Sequence, residues 1–288
     1  MQRAIALSLL TSFVASLVAA GSKLAAQYVS VHVVVFSQYL VGFCLYLPLL
    51  MKRGTGAFQT QRFGLHCLRG LAGLGAFYAY YSAILHVSLV DATLLRNSAP
   101  LLVPLLALWF LGIRVPTKRW WPLAIGFVGV LVILRPVPEN LSIWHLVGFA
   151  AAWMMAASMI TTRLLTKTES NATVLLYYFT IALLVSAPMA IYSVTNAPLW
   201  VWLLLLALGL GLALALWLYT LAYRAVKPSV LSPVSYMSVV FAGAWGWLFW
   251  QELPSAWSYL GTGLVVISAC VILWFGDDDT PVSPRPPA

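Results

Sequence analysis

Arg96, Asn97 and Ser98 stand in the middle of a run, residues 89–111, whose other polar side chains, Asp91 and Thr93, lie near its start. A charged side chain within an apolar span costs roughly 2.5–3.5 kcal/mol to insert, which makes it a functional group by default. A guanidinium held there offers a carboxylate or phosphate two parallel hydrogen bonds. The competing use is snorkelling, because about seven residues, or roughly 10 Å at 1.5 Å per residue, separate Arg96 from the end of the run. A second polar set lies in residues 228–249, where Ser232, Ser235, Tyr236 and Val239 fall at i, i+3, i+4 and i+7 on one helix face. These hydroxyls either line a cavity or bind helices together. Aromatic residues inside apolar runs form a third set: Tyr78 and Tyr81 one turn apart, Trp153, Trp217, Tyr219 and Trp245. They can stack on a planar substrate or fill space among neighbours. Gln38 and Tyr39, aligned with Tyr178 and Phe179 by the repeat described below, join the candidates.

Other chemistry lacks its residues. The chain has no HExxH, GxSxG, Walker loop or complete GxGxxG, so proteolysis, acyl transfer and nucleotide-driven pumping are not indicated, and the reading is of a protein that is not an enzyme. Cys44, Cys67 and Cys270 sit in apolar runs without metal-ligand spacing, so neither a metal nor a cofactor is expected. Asp91 begins a span, and Glu139, Glu169 and Glu252 fall between spans, which argues against a proton relay through a buried carboxylate.

The elements that carry these residues are set by composition. The chain is 62% hydrophobic and 8% charged, with a mean hydropathy of +0.93, against a charged fraction of about 25% in soluble domains. Runs of roughly 20 apolar residues, the length needed to cross a bilayer as a helix, fill the chain. Ten helices are predicted, at about 4–26, 31–51, 65–86, 89–111, 119–134, 144–165, 172–192, 199–223, 228–249 and 255–275.

A weak repeat organises them. Residues 81–116 return as 219–254 at an offset of 138, with Tyr81 on Tyr219, Trp109 on Trp247 and Pro116 on Pro254. Lys23 matches Arg163, and Pro48 matches Pro188, at an offset of 140. The expected domains are a first five-helix repeat, 1–138, a second, 139–276, and a disordered cytoplasmic tail, 277–288. The first run imitates a secretory signal at Val18, Ala19 and Ala20. Its match to mid-chain residues 146–164 makes it an expected transmembrane helix.

Basic residues give the orientation. With the N-terminus cytoplasmic, thirteen of the sixteen Lys and Arg fall on that side, Lys23 and Arg135 on the other, and Arg96 within a span. This bias places both termini in the cytoplasm. The net charge of +9 is thereby read as a topology signal and not as a nucleic-acid surface. Five helices per repeat make the second copy enter from the opposite side, the inverted arrangement in which transporters place substrate near the midplane between repeats.

The blocks SAILHVSLVDATLLRNSAPLLVPLLALWFLGIRVP and LFWQELPSAWSYLGTGLVVISACVIL, with ten helices in two halves, resemble the EamA-like exporters of the drug/metabolite transporter superfamily. The resemblance implies a basket of the first four spans of each half around a central cavity, with the fifth and tenth outside. It also implies movement of small metabolites, often amino acids, by alternating access. The first span offers Ser8, Thr11, Ser12 and Ser16 where small four-helix relatives carry a glutamate, which argues against efflux of lipophilic cations.

The expectation is an all-α integral protein of the cell inner membrane, with ten transmembrane helices as two inverted five-helix repeats around a central cavity. Its partners are the lipid bilayer and a small polar metabolite, an amino acid or a related carboxylate or aromatic compound. The alternative is an importer or exchanger of a larger cofactor or nucleotide-like metabolite. Substrate contacts are expected from Gln38, Tyr78, Tyr81, Arg96, Asn97, Trp153, Trp217, Tyr219, Ser235 and Tyr236. Oligomeric state and coupling ion are not written in the sequence.

Overall fold

The computed structural model describes residues 2–53, 59–112, 120–134, 142–193, 196–225 and 236–276. All regular structure among them is α-helical, as lipid demands of a chain that must satisfy its own backbone polar groups. The helices are α1 (Gln2–Ala25), α2 (Val31–Arg53), α3 (Phe63–Ile84), α4 (Leu89–Asn97), α5 (Ala99–Leu111), α6 (Trp120–Leu134), α7 (Ile143–Leu165), α8 (Asn171–Ile191), α9 (Leu199–Ala225), α10 (Met237–Trp250) and α11 (Ala256–Gly276). By length and composition six segments can each cross a membrane, and α6, α10 and α11 contain shorter apolar stretches. The 22-residue α3 is less apolar because it carries His66, Arg69 and three tyrosines.

Serines start several helices. Ser88 accepts from the Asp91 amide at 3.0 Å, Ser142 from Trp144 at 3.3 Å, and Ser170 from Thr173 at 3.1 Å, each satisfying an amide that a helix start leaves without a partner.

The span expected at 89–111 is two helices meeting at Ser98. Pro100 has no amide proton to give the Arg96 carbonyl, and its ring disfavours a continued turn. Leu101 donates to Ser98 at 2.9 Å, tightening the junction. The span expected at 228–249 is described from Tyr236 onward, and its first part lies outside the described residues.

Helix packing follows a closed order: α1 against α9, α9 against α2, α2 against α8, α8 against α3, α3 against α7, α7 against α4, α4 against α10, and α10 back against α1. The pair α6 and α11 packs outside this ring, touching it through α4 and α5. At the ring's middle the space is filled by side chains. Tyr39, Tyr80, Tyr81, Tyr178 and Phe179 are all buried there with Ile84 and Leu89.

Close approach is set by glycine. A Cβ at Gly42 would stand 2.1 Å from the Phe179 ring, one at Gly70 2.7 Å from Ile181, and one at Gly129 2.9 Å from the Gly261 carbonyl oxygen. The glycine pairs at 70 and 73 and at 126 and 129 thus act as packing notches.

Candidate functional site

Arg96 is the last charged residue before the break between α4 and α5, and the broken helix aims it into the bundle. Its guanidinium carbon lies 4.9 Å from the centre of the Phe77 ring and 4.8 Å from that of Tyr80, both on α3. Aromatic faces attract a cation without neutralising it. The Nε of Arg96 is buried without a hydrogen-bond partner. Among the described residues it forms no ion pair, the one present being Lys23 with Glu252.

The break also explains what surrounds it. Because Leu101 donates to Ser98, the Asn97 carbonyl lacks its usual helical donor, and the Tyr236 hydroxyl donates to it at 3.2 Å. Asn97 Nδ2 donates to Ser238 Oγ at 2.9 Å. The interrupted helix of the first half and the start of α10 in the second are therefore tied through freed polar groups. Discontinuous helices are where transporters of this build place their sites.

Beside Arg96 lies an aromatic group. Tyr39 packs against Phe77 at 6.2 Å, Tyr178 at 5.4 Å and Phe179 at 6.0 Å between ring centres, and its hydroxyl meets that of Tyr178 at 2.7 Å. The facing of Gln38 and Tyr39 by Tyr178 and Phe179 expected from the repeat is thus realised at Tyr39. Tyr81 donates to Gln38 Oε1 at 3.0 Å, and Gln38 Nε2 donates to Ser22 Oγ at 2.9 Å.

Of the residues chosen from sequence, Arg96, Asn97, Tyr236, Tyr81 and Gln38 come together around α3, α4 and the ring's middle. Tyr78 lies on the side of α3 toward α2, with His32 5.3 Å away and its hydroxyl buried without a partner. Trp153 and Trp217 stand elsewhere. Trp153 is half-buried against the cluster of α5 and α7 and stacks at 6.4 Å on Trp109, which is 75% exposed, whereas Trp217 is 54% exposed on the outer surface of the bundle. The side chain of Tyr219 and the whole of Ser235 lie outside the described residues.

Two features escaped the sequence reading. Arg69, counted there as a cytoplasmic-end residue, lies within α3 with its guanidinium carbon 4.0 Å from the Tyr178 ring centre and Nη1 donating to Ser158 Oγ at 2.6 Å. The signal was Gly73, one turn on, whose missing side chain makes room for that guanidinium. Glu252, placed between spans and within the second block of the family resemblance but given no partner, pairs with buried Lys23 and accepts from the Leu89 amide at 2.9 Å. Gln251, with φ of 56°, ends α10 in a left-handed turn. The Glu252 amide there returns to the Gly246 carbonyl at 3.0 Å, which folds the carboxylate back onto the bundle. A hollow of about 380 Å³ opens beside this pair, lined by Lys23, Gln27, His86, Ser88, Trp250 and Glu252 among others.

Comparison with known proteins converges on one family. The model of the EamA-like transporter family matches twice, over residues 2–135 and 142–274. The pseudopaline exporter of Pseudomonas aeruginosa is 30% identical over 269 residues, covering 93% of this chain and 94% of that protein. A riboflavin transporter of Brucella anthropi is 27% identical over 240 residues, 81% of this chain and 84% of its own. An S-adenosylmethionine uptake transporter of Rickettsia bellii is 24% identical over 241 residues, 84% and 83% respectively. A protein crystal structure shares the fold with a TM-score of 0.63 at 20% identity, covering 94% of this chain and 98% of that one. With two family matches across nearly its whole length, apolar helices throughout and relatives that are transporters of varied small molecules, this chain belongs to the EamA-like transporter family, within the drug/metabolite transporter superfamily, as a multi-pass inner-membrane transporter and not an enzyme.

Proposed function

We propose that the protein moves a small polar metabolite bearing a carboxylate, an amino acid or a related compound, by alternating access of two inverted five-helix repeats. Arg96 is the substrate anchor in this reading. The observation that carries it is a guanidinium in mid-bundle with no ion pair among the described residues, resting on two aromatic faces beside a helix break. A charge kept in that setting is costly unless a ligand completes it, and an arginine can hold a carboxylate through two hydrogen bonds.

The packing order supports the repeat. Exchanging α1 with α7, α2 with α8, α3 with α9, the α4–α5 unit with α10, and α6 with α11 maps the ring's contacts onto one another: α1–α9 becomes α7–α3, α2–α9 becomes α8–α3, and α2–α8 maps onto itself. Rocking of the two halves about such an axis exposes a midplane site to each side in turn. Both termini are cytoplasmic in this scheme, from the distribution of basic residues. The acid of α4, Asp91, lies in its first turn and accepts from the Ser258 hydroxyl at 2.6 Å, so exchange or facilitated diffusion fits better than proton coupling through an acid.

A second reading, uptake or exchange of a larger planar cofactor, is favoured by the Tyr39, Phe77 and Tyr178 rings beside the cation and by relatives named as riboflavin and S-adenosylmethionine transporters. One assay separates the two: counterflow in proteoliposomes with labelled amino acids, riboflavin and S-adenosylmethionine. The expected result is exchange of a carboxylate-bearing amino acid, reduced at least tenfold by Arg96→Ala and partly kept by Arg96→Lys. Undiminished exchange by Arg96→Ala would sink the anchor and leave a snorkelling arginine.

A further inference from the structure

Arg96 is not the only cation in the bundle without an acid. Arg69 repeats its circumstances on the other side of the same aromatic group: its guanidinium lies over Tyr178, its Nε is buried without a partner, and it forms no ion pair among the described residues. Its acceptor among those residues is Ser158 Oγ, a neutral hydroxyl that is itself buried. We propose that Arg69 is a second anion anchor, and that the transported compound carries two anionic groups, one held by each arginine. The proposal rests on the transporter reading above and narrows its substrate to dianions.

The spacing follows from α3. The Arg69 guanidinium lies beside Gly73, where a Cβ would come within 2.6 Å of Nη1. The Arg96 guanidinium sits on Phe77 and Tyr80. Four to seven residues of one helix separate these levels, which is roughly 6–10 Å at 1.5 Å per residue. That interval fits a compound with carboxylates at the two ends of a chain or ring system, and excludes a single α-carboxylate bridging both. Between the arginines run the rings of Tyr178, Tyr39 and Phe77, which fill the space in this arrangement. They offer the body of such a compound an apolar wall once the two halves part, with the Tyr39 and Tyr178 hydroxyls already paired with each other.

Electrostatics point the same way. Two guanidinium groups about two turns apart along α3 repel within a poorly screened bundle, and each lacks an ion-pair partner among the described residues. A dianion removes both deficits at once, whereas a monoanion leaves one cation uncompensated. Ser158 and the Gly73 notch then serve to hold Arg69 in place, as second supports beneath the binding group.

The test is thermal stabilisation of the purified protein in detergent by linear α,ω-dicarboxylates of five to nine carbons, beside their monomethyl esters. Wild type is expected to bind a dicarboxylate of matching length at least tenfold more tightly than its ester, as one charge-assisted pair more would give. In Arg69→Gln that preference falls to about unity while the ester binds as before. Arg69→Lys, which preserves charge, retains the preference to within about threefold and guards against mere loss of structure. A wild type that binds the esters as well as the diacids, or an Arg69→Gln protein that keeps the preference, overturns the second anchor. Ester binding that survives Arg96→Gln undiminished removes the first anchor instead, so the two readings fail separately.

Discussion

Gln38 uses both ends of its amide inside the bundle. The Tyr81 hydroxyl donates to Oε1, Nε2 donates to Ser22, and the Ser22 hydroxyl passes on to the Val18 carbonyl at 2.7 Å. Tyr81 is therefore already occupied, as a strut between α3 and α2. Tyr81→Phe leaves Oε1 short of a donor at a buried site, a loss of about 1–3 kcal/mol. The measurement is the thermal unfolding midpoint in detergent, expected to drop, with the transport KM unchanged. An unaltered midpoint together with a raised KM would make Tyr81 a substrate contact instead. Arg96, Asn97 and Tyr236 were legible in the sequence because a charge or amide in an apolar run is costly and needs a reason. Arg69 was not, because a basic residue near the start of a span is also what topology demands. Trp217 shows the converse: it is exposed, because an aromatic ring is equally at home facing lipid, and residue type does not say which way a helix face points.

At the scale of elements, helix existence was readable and Pro100 marked the break, but the partners of the freed groups were not legible. Hydropathy spaces the spans and a proline divides residues 89–111 near Ser98, whereas the donor to the Asn97 carbonyl, Tyr236, lies 139 positions away. The glycine notches were visible as pairs, without their partners. The contact of α6 with α11 gives a clear case. A Cβ at Gly129 meets the Gly261 carbonyl, Leu264 and Val265, each at 2.9 Å, whereas one at Gly64 meets nothing within 4 Å. Backbone cannot move aside as a flexible side chain can. Gly129→Ala should thus lose roughly 1–3 kcal/mol by overpacking, more than the gain of about 1 kcal/mol in helix propensity. Gly64→Ala should be neutral or slightly stabilising. Unfolding midpoints of the two variants that did not differ would remove the seam's dependence on that glycine.

For the whole molecule, Lys23 and Glu252 join α1 to the end of α10, and Glu252 also holds the first amide of α4. The same end of the ring carries the Ser22, Gln38 and Tyr81 chain, so α1, α2, α3, α4 and α10 are tied together there. Among the described residues the opposite end has no equivalent ion pair. Lys23 corresponds to Arg163, which is exposed, and the repeat offset of 138 places Arg114 against Glu252. Neither position offers an acid. The tied end is the periplasmic one in the proposed topology, and under the proposed mechanism we expect the latch to favour the inward-open arrangement. Removing one partner of a fully buried pair costs roughly 3–5 kcal/mol; here the Glu252 side chain is 25% exposed, so about 2 kcal/mol is the reasonable scale. Glu252→Gln should raise the rate at which Ala92→Cys, in a background with Cys44, Cys67 and Cys270 replaced, reacts with a membrane-impermeant maleimide from outside, by about tenfold. An unchanged rate would show that the ion pair does not govern closure.

The ring order has a consequence for how the protein is made. Taken around the circle, helices from the first half alternate with helices from the second: α1, α9, α2, α8, α3, α7, α4, α10. Each contact that closes the ring joins two segments synthesised far apart. When the ribosome has finished α6, the membrane holds an unzipped set of helices, with Lys23 awaiting an acid 229 residues downstream and Arg69 awaiting Ser158 and Tyr178. The first half must be kept in lipid, intact and open, until its other half threads between its members. The circle is therefore complete only once α10 has emerged, and α11 then packs on α6 outside it.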